Sequence, residues 1–240
     1  GFEDIFLIAR GSLNFSDMYR FDFEQLPTLV RRRNIRGVNG RINFLGQEIH
    51  PLDEKAVIAA AHELINSNGC EAIAINFLHS YANTKHEETA VNLLKENFPE
   101  LAISAGGLLA NEYREYERTS TTVLDSYIKP VLKNYLQHLK SGMQEKGFDG
   151  KYYVMNSAGG ALTFEMAATK PISTIFSGPA GGVSGALDLA KIMKKKKLLS
   201  IDVGGTSLDA NLILDFEPVD VFEAYVDHFP VLQPIFDLRT

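Results

Sequence analysis

The residues best placed to do chemistry lie in one run, Leu199-Ser200-Ile201-Asp202-Val203-Gly204-Gly205-Thr206-Ser207-Leu208-Asp209. An apolar strand delivers Asp202 to its end. Two glycines, Gly204 and Gly205, then let the backbone turn with no side chain between its amides and a ligand. Thr206 and Ser207 add hydroxyl donors, and a second apolar strand carries Asp209 back. Successive amides in such a turn form an anion nest. A carboxylate beside the nest can hold Mg²⁺, directly or through water. A plain glycine hairpin is the bland alternative. The hydroxyls and the flanking strands favour phosphate binding over it.

Four further segments carry polar or glycine-rich groups. Ser177-Gly178-Pro179-Ala180-Gly181-Gly182 opens a helix with small residues. It fits a hinge or close packing, with Ser177 and Gly178 as candidate ligand contacts. It is no P-loop, because the Gly-Lys-Ser/Thr ending is missing. Met155-Asn156-Ser157-Ala158-Gly159-Gly160 ends a strand in amide and hydroxyl groups, where open α/β sheets bind ligands. An Asn/Gly turn without a ligand fits it equally well. Glu115-Tyr116-Glu117-Arg118-Thr119-Ser120-Thr121-Thr122 suits a helix entry, with capping as the plain reading and Arg118 and Thr119 as candidate substrate contacts. His79, His86 and Glu87 offer metal-ligand types, but the histidines are split by a helix start and no third ligand is specified.

These groups need elements to position them. Residues 3–10 read as a short strand. Asp53 reads as the N-cap of a helix that stops at Gly69. The apolar run 72–77 reads as a parallel strand covered on both faces. Thr84 and Glu87 have the spacing of a capping box. Further strands are expected near 102–104, 152–156, 198–203 and 207–214, with helices over 115–146, interrupted at Pro130, and 179–193. Strands alternating with helices predict an α/β fold with a largely parallel sheet. The natural boundary falls near residues 194–197, where a helix ends in lysines.

The bulk composition excludes several classes. The 240 residues are 45% hydrophobic and 22% charged, which are globular values. A net charge of −6 argues against a nucleic-acid partner. No apolar run reaches the ~18 residues of a membrane span. The single cysteine, Cys70, permits no intrachain disulfide and fits a reducing, cytoplasmic compartment; it reads as a small buried residue.

The 202–209 run resembles the phosphate loop of the actin, hexokinase and heat-shock ATPase superfamily. Together, the five segments come in the order seen in the hydantoinase/oxoprolinase family: Leu78-His79-Ser80-Tyr81 with His86-Glu87, residues 115–121, Asn156-Ser157-x-Gly159-Gly160, residues 177–182, and Asp202-x-Gly204-Gly205-Thr206-Ser207-x-Asp209. The family includes ATP-dependent N-methylhydantoinases, 5-oxoprolinases and the ATP-handling subunits of acetone-type carboxylases. The resemblance implies an incomplete ribonuclease-H-like α/β architecture. Residues 1–195 would be most of one half, and 196–240 the opening strands of the other. The family's own first phosphate loop has no counterpart at the start, and Leu208 replaces a small polar residue. The chain therefore reads as an internal piece of a longer protein.

The resemblance also implies a mechanism. ATP with Mg²⁺ or Mn²⁺ would activate a cyclic amide of hydantoin or 5-oxoproline type by phosphoryl transfer. Asp202 would hold the metal, Asp209 would order the loop or the metal's water, and residues 204–207 would cradle phosphate. Implied partners are the small-molecule substrate, a second subunit of the hydantoinase B type, and further copies of the chain. A role in a carboxylase, or in a non-catalytic member, is the implied alternative. The strands after 196 are expected to leave exposed edges that pair with the first half or a neighbouring copy.

Overall fold

The computed structural model describes residues 1–7, 19, 21–22, 27–205 and 208–238. Its elements, in chain order, begin with a short hairpin of β1 (Arg41–Ile42) and β2 (Glu48–His50). Then come α1 (Glu54–Asn66), β3 (Ala72–Ile75), α2 (Lys85–Asn97), β4 (Ala102–Ala105), α3 (Gly106–Leu109) and α4 (Glu115–Glu145). After these follow β5 (Tyr153–Met155), β6 (Ala161–Thr163), α5 (Phe164–Thr169) and α6 (Ser177–Ile192). The last are β7 (Lys197–Val203), β8 (Leu208–Leu214), β9 (Glu217–Pro218), β10 (Asp220–Val226) and β11 (Phe229–Phe236).

The chain divides into two compact units. One holds Gly1–Pro130 with Tyr225–Leu232, the other Val131–Ala224 with Gln233–Thr240. The division falls at Pro130 within α4, a continuous helix there rather than an interrupted one.

The core of the first unit is a parallel pair, β3 beside β4, with Ala72 opposite Ala102 and Ile75 opposite Ala105. Helices α1 and α2 cover it through Val57, Ala61, Ala90, Val91 and Leu94. Burying a valine or leucine side chain contributes about 1.5–3 kcal/mol. Local signals set the ends of α1. Asp53 accepts the Ala56 N–H at 3.0 Å. Beyond the C-terminus Gly69 takes a left-handed φ of 66° and returns its N–H to the Ile65 carbonyl.

The second unit pairs β5 with β6, and β7 with β8 and β9, all antiparallel. A small apolar cluster of Leu136, Phe164 and Ala167 lies under the first pair. Ala180 and Val183 of α6 pack with Phe236 of β11.

Three further expectations are corrected. The sheet is not largely parallel: among the described residues β3–β4 is the parallel pair, and the rest of the ladder falls into small separate sheets. The loops 156–160 and 204–207 are far too short for the crossover a parallel connection needs. The start of the chain is not a strand, since Phe2–Leu7 forms a 3-10 helix; residues 8–10 lie outside the described residues. Asp4 binds the Gly1 amino group at 2.8 Å and the Arg32 guanidinium at 2.6 Å, and Phe6 sits edge-on to Tyr116. These contacts favour a local turn. Finally, Cys70 is half-buried rather than buried.

Candidate functional site

The loop that carries the strongest sequence signal is held by the β7–β8 ladder. Seven residue pairs run from Lys197 opposite Leu214 to Val203 opposite Leu208, and Asp202 stands directly opposite Asp209. Residues opposite one another share a face of a sheet, so the two carboxylates project to one side. Asp202 is exposed and Asp209 half-buried. Like charges directly opposite destabilise a ladder, and a bound cation would reverse that cost. Gly204 and Gly205 follow, both exposed. A Cβ added to Gly205 would meet no atom within 4 Å, so the chain's own packing does not require glycine there. Thr206 and Ser207, the expected hydroxyl donors, lie outside the described residues.

The same face carries Asn211, which is 3% exposed. Its amide donates to the Val219 carbonyl at 3.1 Å and the Asp237 carbonyl at 2.9 Å, which pins β8 to later chain. The opposite face presents Leu199, Ile201 and Val203, all more than half exposed.

The loop 156–160 is a built turn. The Asn156 side chain accepts the Ala158 N–H at 3.0 Å, and Gly159 needs its φ of 86°. A side chain on Gly159 would strike the Phe236 ring. Ser157 is fully buried; its hydroxyl accepts the Phe176 N–H at 3.1 Å, its N–H donates to Ser173, and its carbonyl accepts from Phe236. These bonds tie the loop to the start of α6, which begins at Ser177. Gly160 stands open at the turn's end. Along α6, a Cβ on Gly178, Gly182 or Gly185 meets nothing within 4 Å. Close packing therefore does not explain that glycine stripe among the described residues.

The segment 115–122 opens α4 as a helix entry, with its hydroxyls turned back into the helix rather than capping it. Thr119, Thr121 and Thr122 donate their hydroxyls to the carbonyls four residues back. Ser and Thr commonly do this inside helices. Arg118 is fully buried. Its guanidinium donates to the Glu112 and Phe77 carbonyls and pairs with Glu115, and it lies 5.9 Å from the Tyr81 ring centre.

The two histidines do not share a centre. His86 is buried and binds Glu48 through Nε2 at 2.8 Å, while His79 donates its backbone N–H to Glu115. Among the described residues no group of three or more His, Cys, Asp or Glu side chains is placed to hold a metal.

Sequence reasoning missed the part played by Glu87. The residue expected to close a capping box is instead fully buried. One carboxylate oxygen accepts the Phe77 N–H at 2.9 Å, the other the Gly107 N–H at 2.6 Å. Burial pushes its carboxyl above the usual range; those two amides, the Ser80 hydroxyl and Arg118 pull the other way. Thr84 turns to Glu88 at 2.5 Å rather than capping the helix with its side chain. A second buried group was also missed: Asp125 accepts from the Ser104 hydroxyl at 2.6 Å and pairs with Lys129 at 3.1 Å. The i, i+4 spacing of Asp125 and Lys129 was the available signal.

Comparisons with known proteins bear out the family resemblance. A family model described as hydantoinase/oxoprolinase matches residues 118–240, and one for the hydantoinase/oxoprolinase N-terminal region matches residues 1–98. The caprolactamase alpha subunit of Pseudomonas jessenii is 32% identical over 88% of this chain and 30% of its own length. The acetone carboxylase beta subunit of Xanthobacter autotrophicus is 32% identical over 83% of this chain and 27% of its own length. The crystal structure of the ATP-dependent caprolactamase from Pseudomonas jessenii superposes with a TM-score of 0.86 at 28% identity, over 100% of this chain and 35% of that one. The chain thus spans about a third of the length of these relatives.

Proposed function

The chain belongs to the hydantoinase/oxoprolinase family, and from that premise we propose that it serves an ATP-dependent hydrolase that opens a cyclic amide of hydantoin or 5-oxoproline type. The carrying observation is the Asp202–Asp209 pair, set directly across a ladder beside Gly204 and Gly205. Two carboxylates on one face suit a divalent cation, and an open glycine turn suits phosphate. Relatives whose names state ATP dependence support the same reading.

In this proposal Asp202 orients the metal's shell and Asp209 orders the loop. Gly204, Gly205, Thr206 and Ser207 receive phosphate oxygens. Magnesium or manganese ATP supplies a phosphoryl group that converts an amide oxygen into a leaving group. The chain's own part is positioning and charge neutralisation, as in phosphoryl transfer generally. Asn156, Ser157, Gly159, Gly160, Ser177 and Gly178 act by shaping the loop and the start of α6. We assign the fold to the ribonuclease-H-like class, with residues 1–195 in one half and 196–240 opening the other. A companion subunit of the hydantoinase B type and a cytoplasmic setting complete the proposal. Relatives named as alpha, beta and gamma subunits support the companion.

A second reading, the ATP-using subunit of an acetone-type carboxylase, is favoured by the equal identity to the acetone carboxylase beta subunit. In the full-length protein, Asp202→Asn should lower ATP hydrolysis by about 10²–10³-fold. Unchanged hydrolysis would remove the metal role from Asp202. Product analysis separates the readings: an opened amide supports the hydrolase, and a carboxylated ketone supports the carboxylase.

A further inference from the structure

The β7–β8 ladder turns its apolar side outward. Residues opposite one another share a face, so Leu199 stands with Leu212, Ile201 with Ala210, Val203 with Leu208, and Lys197 with Leu214. Six large aliphatic side chains of this face, Leu199, Ile201, Val203, Leu208, Leu212 and Leu214, are each between 40% and 72% exposed. Lys197, at the end away from the 204–207 turn, is the one charge among them. The face behind carries Ser200, Asn211, Asp202 and Asp209. Yet it is there that Ile213 and Asn211 are buried, and α6 packs against the same two strands. An antiparallel sheet with one wet face puts its polar residues on that face. Here the open face is the apolar one. Single exposed apolar side chains are ordinary on a surface, whereas a contiguous set marks a contact.

The dimensions of the face narrow what can cover it. Each strand has seven residues and is therefore about 23 Å long, and the two lie about 5 Å apart. An α-helix of about 15 residues has that length, and its diameter of about 10 Å spans two strands. Six side chains are few for association with a separate molecule, since a standard interface uses roughly 20–30 residues a side. The chain spans about a third of the length of its relatives, so most of such a protein is available to supply a covering element.

We propose that this face is the seat of an amphipathic α-helix of about four turns, contributed by a part of the full-length protein outside residues 1–240. The helix sets aliphatic side chains at i, i+3, i+4 and i+7 against the face and turns its charged side away. The proposal needs the family membership and not the ATP-dependent reaction. Val203 and Leu208 border the 204–207 turn. The helix therefore reaches the base of that turn from the side opposite Asp202 and Asp209.

Thiol labelling tests the cover. Cys70 is the single cysteine, so Cys70→Ser removes the background. On that background, Ile201→Cys and Leu212→Cys each place one thiol on the face. Labelling with a soluble maleimide is timed in the 240-residue chain and in the full-length protein, with urea-unfolded protein as the reference. In the 240-residue chain both thiols should react within about tenfold of the unfolded rate, at any protein concentration. In the full-length protein they should react about a hundredfold more slowly or less. A photoreactive side chain at position 199 of the full-length protein should crosslink to a segment outside residues 1–240 with apolar residues at helical spacing. If the 240-residue chain aggregates, the full-length labelling and the crosslink decide by themselves. Fast labelling in the full-length protein overturns the proposal, because the face is then open. Protection of the 240-residue chain that grows with its concentration overturns it in favour of a second copy. A crosslink to a separate protein, or to a segment whose apolar residues alternate, also overturns it.

Discussion

Glu87 decides most at the scale of single residues. Its sequence position marks it as the third residue of α2 and hence as a capping partner for Thr84. The fold uses it otherwise, because two backbone amides at the strand ends need an acceptor and Glu87 supplies both oxygens. A carboxylate in this place costs desolvation, and burial is the largest influence on it. The sign follows from linkage. Its folded pKa lies above the unfolded value, so between the two the folded state binds more protons. Stability therefore falls as pH rises from the ordinary glutamate range toward the folded pKa, then levels off. Each unit of separation amounts to about 1.4 kcal/mol. Urea midpoints measured from pH 4 to 8 should show this fall in the wild type and not in Glu87→Gln. Parallel slopes in the two proteins would mean that Glu87 does not titrate there.

The helices show at the element scale what local sequence can and cannot specify. The start and stop of α1 were legible because they depend on neighbours in the chain: Asp53 reaches Ala56, and Gly69 supplies a left-handed residue. The strand β3, the run of β7 and β8, and the turn between them were legible from apolar pattern and glycines. What escaped depends on distant partners. Thr84 and Glu87 look like a cap until Phe77 and Gly107 come within reach. The helix entry at 115–122 was legible, but the return of the 119, 121 and 122 hydroxyls to carbonyls four residues back was not. The two aspartates of the 202–209 run were legible as types, but their direct opposition required the ladder register. This contrast gives a paired test. Asp53→Ala should cost about 1 kcal/mol, since it removes a side-chain acceptor from an N-terminal amide. Thr84→Ala should cost only ~0.2–0.5 kcal/mol, the scale of an i, i+4 contact with Glu88. Chemical denaturation of both variants checks the order, and equal losses would show that Thr84 caps after all.

The molecule as a whole consists of two units joined along α4 and along the β10–β11 hairpin, each strand of which is divided between them. Each unit has buried apolar residues of its own: Leu94 and Ala90 sit among the α1–α2–β3–β4 group, while Ala167 and Phe164 sit under β5 and β6. Separate cores permit separate unfolding, and cooperativity between them depends on how strongly the shared elements transmit it. The phosphate-binding loop proposed above lies in the second unit. Leu94 is 2% exposed. Replacing it with alanine should cost about 2–5 kcal/mol through lost burial and the cavity left behind. That loss should shift the unfolding reported by amide exchange in α2 and β3, and leave exchange in β7 and β8 nearly unchanged. If both regions shift together by the same free energy, the units unfold as one, and a ligand that stabilises the 202–209 loop would stabilise the first unit through the same transition.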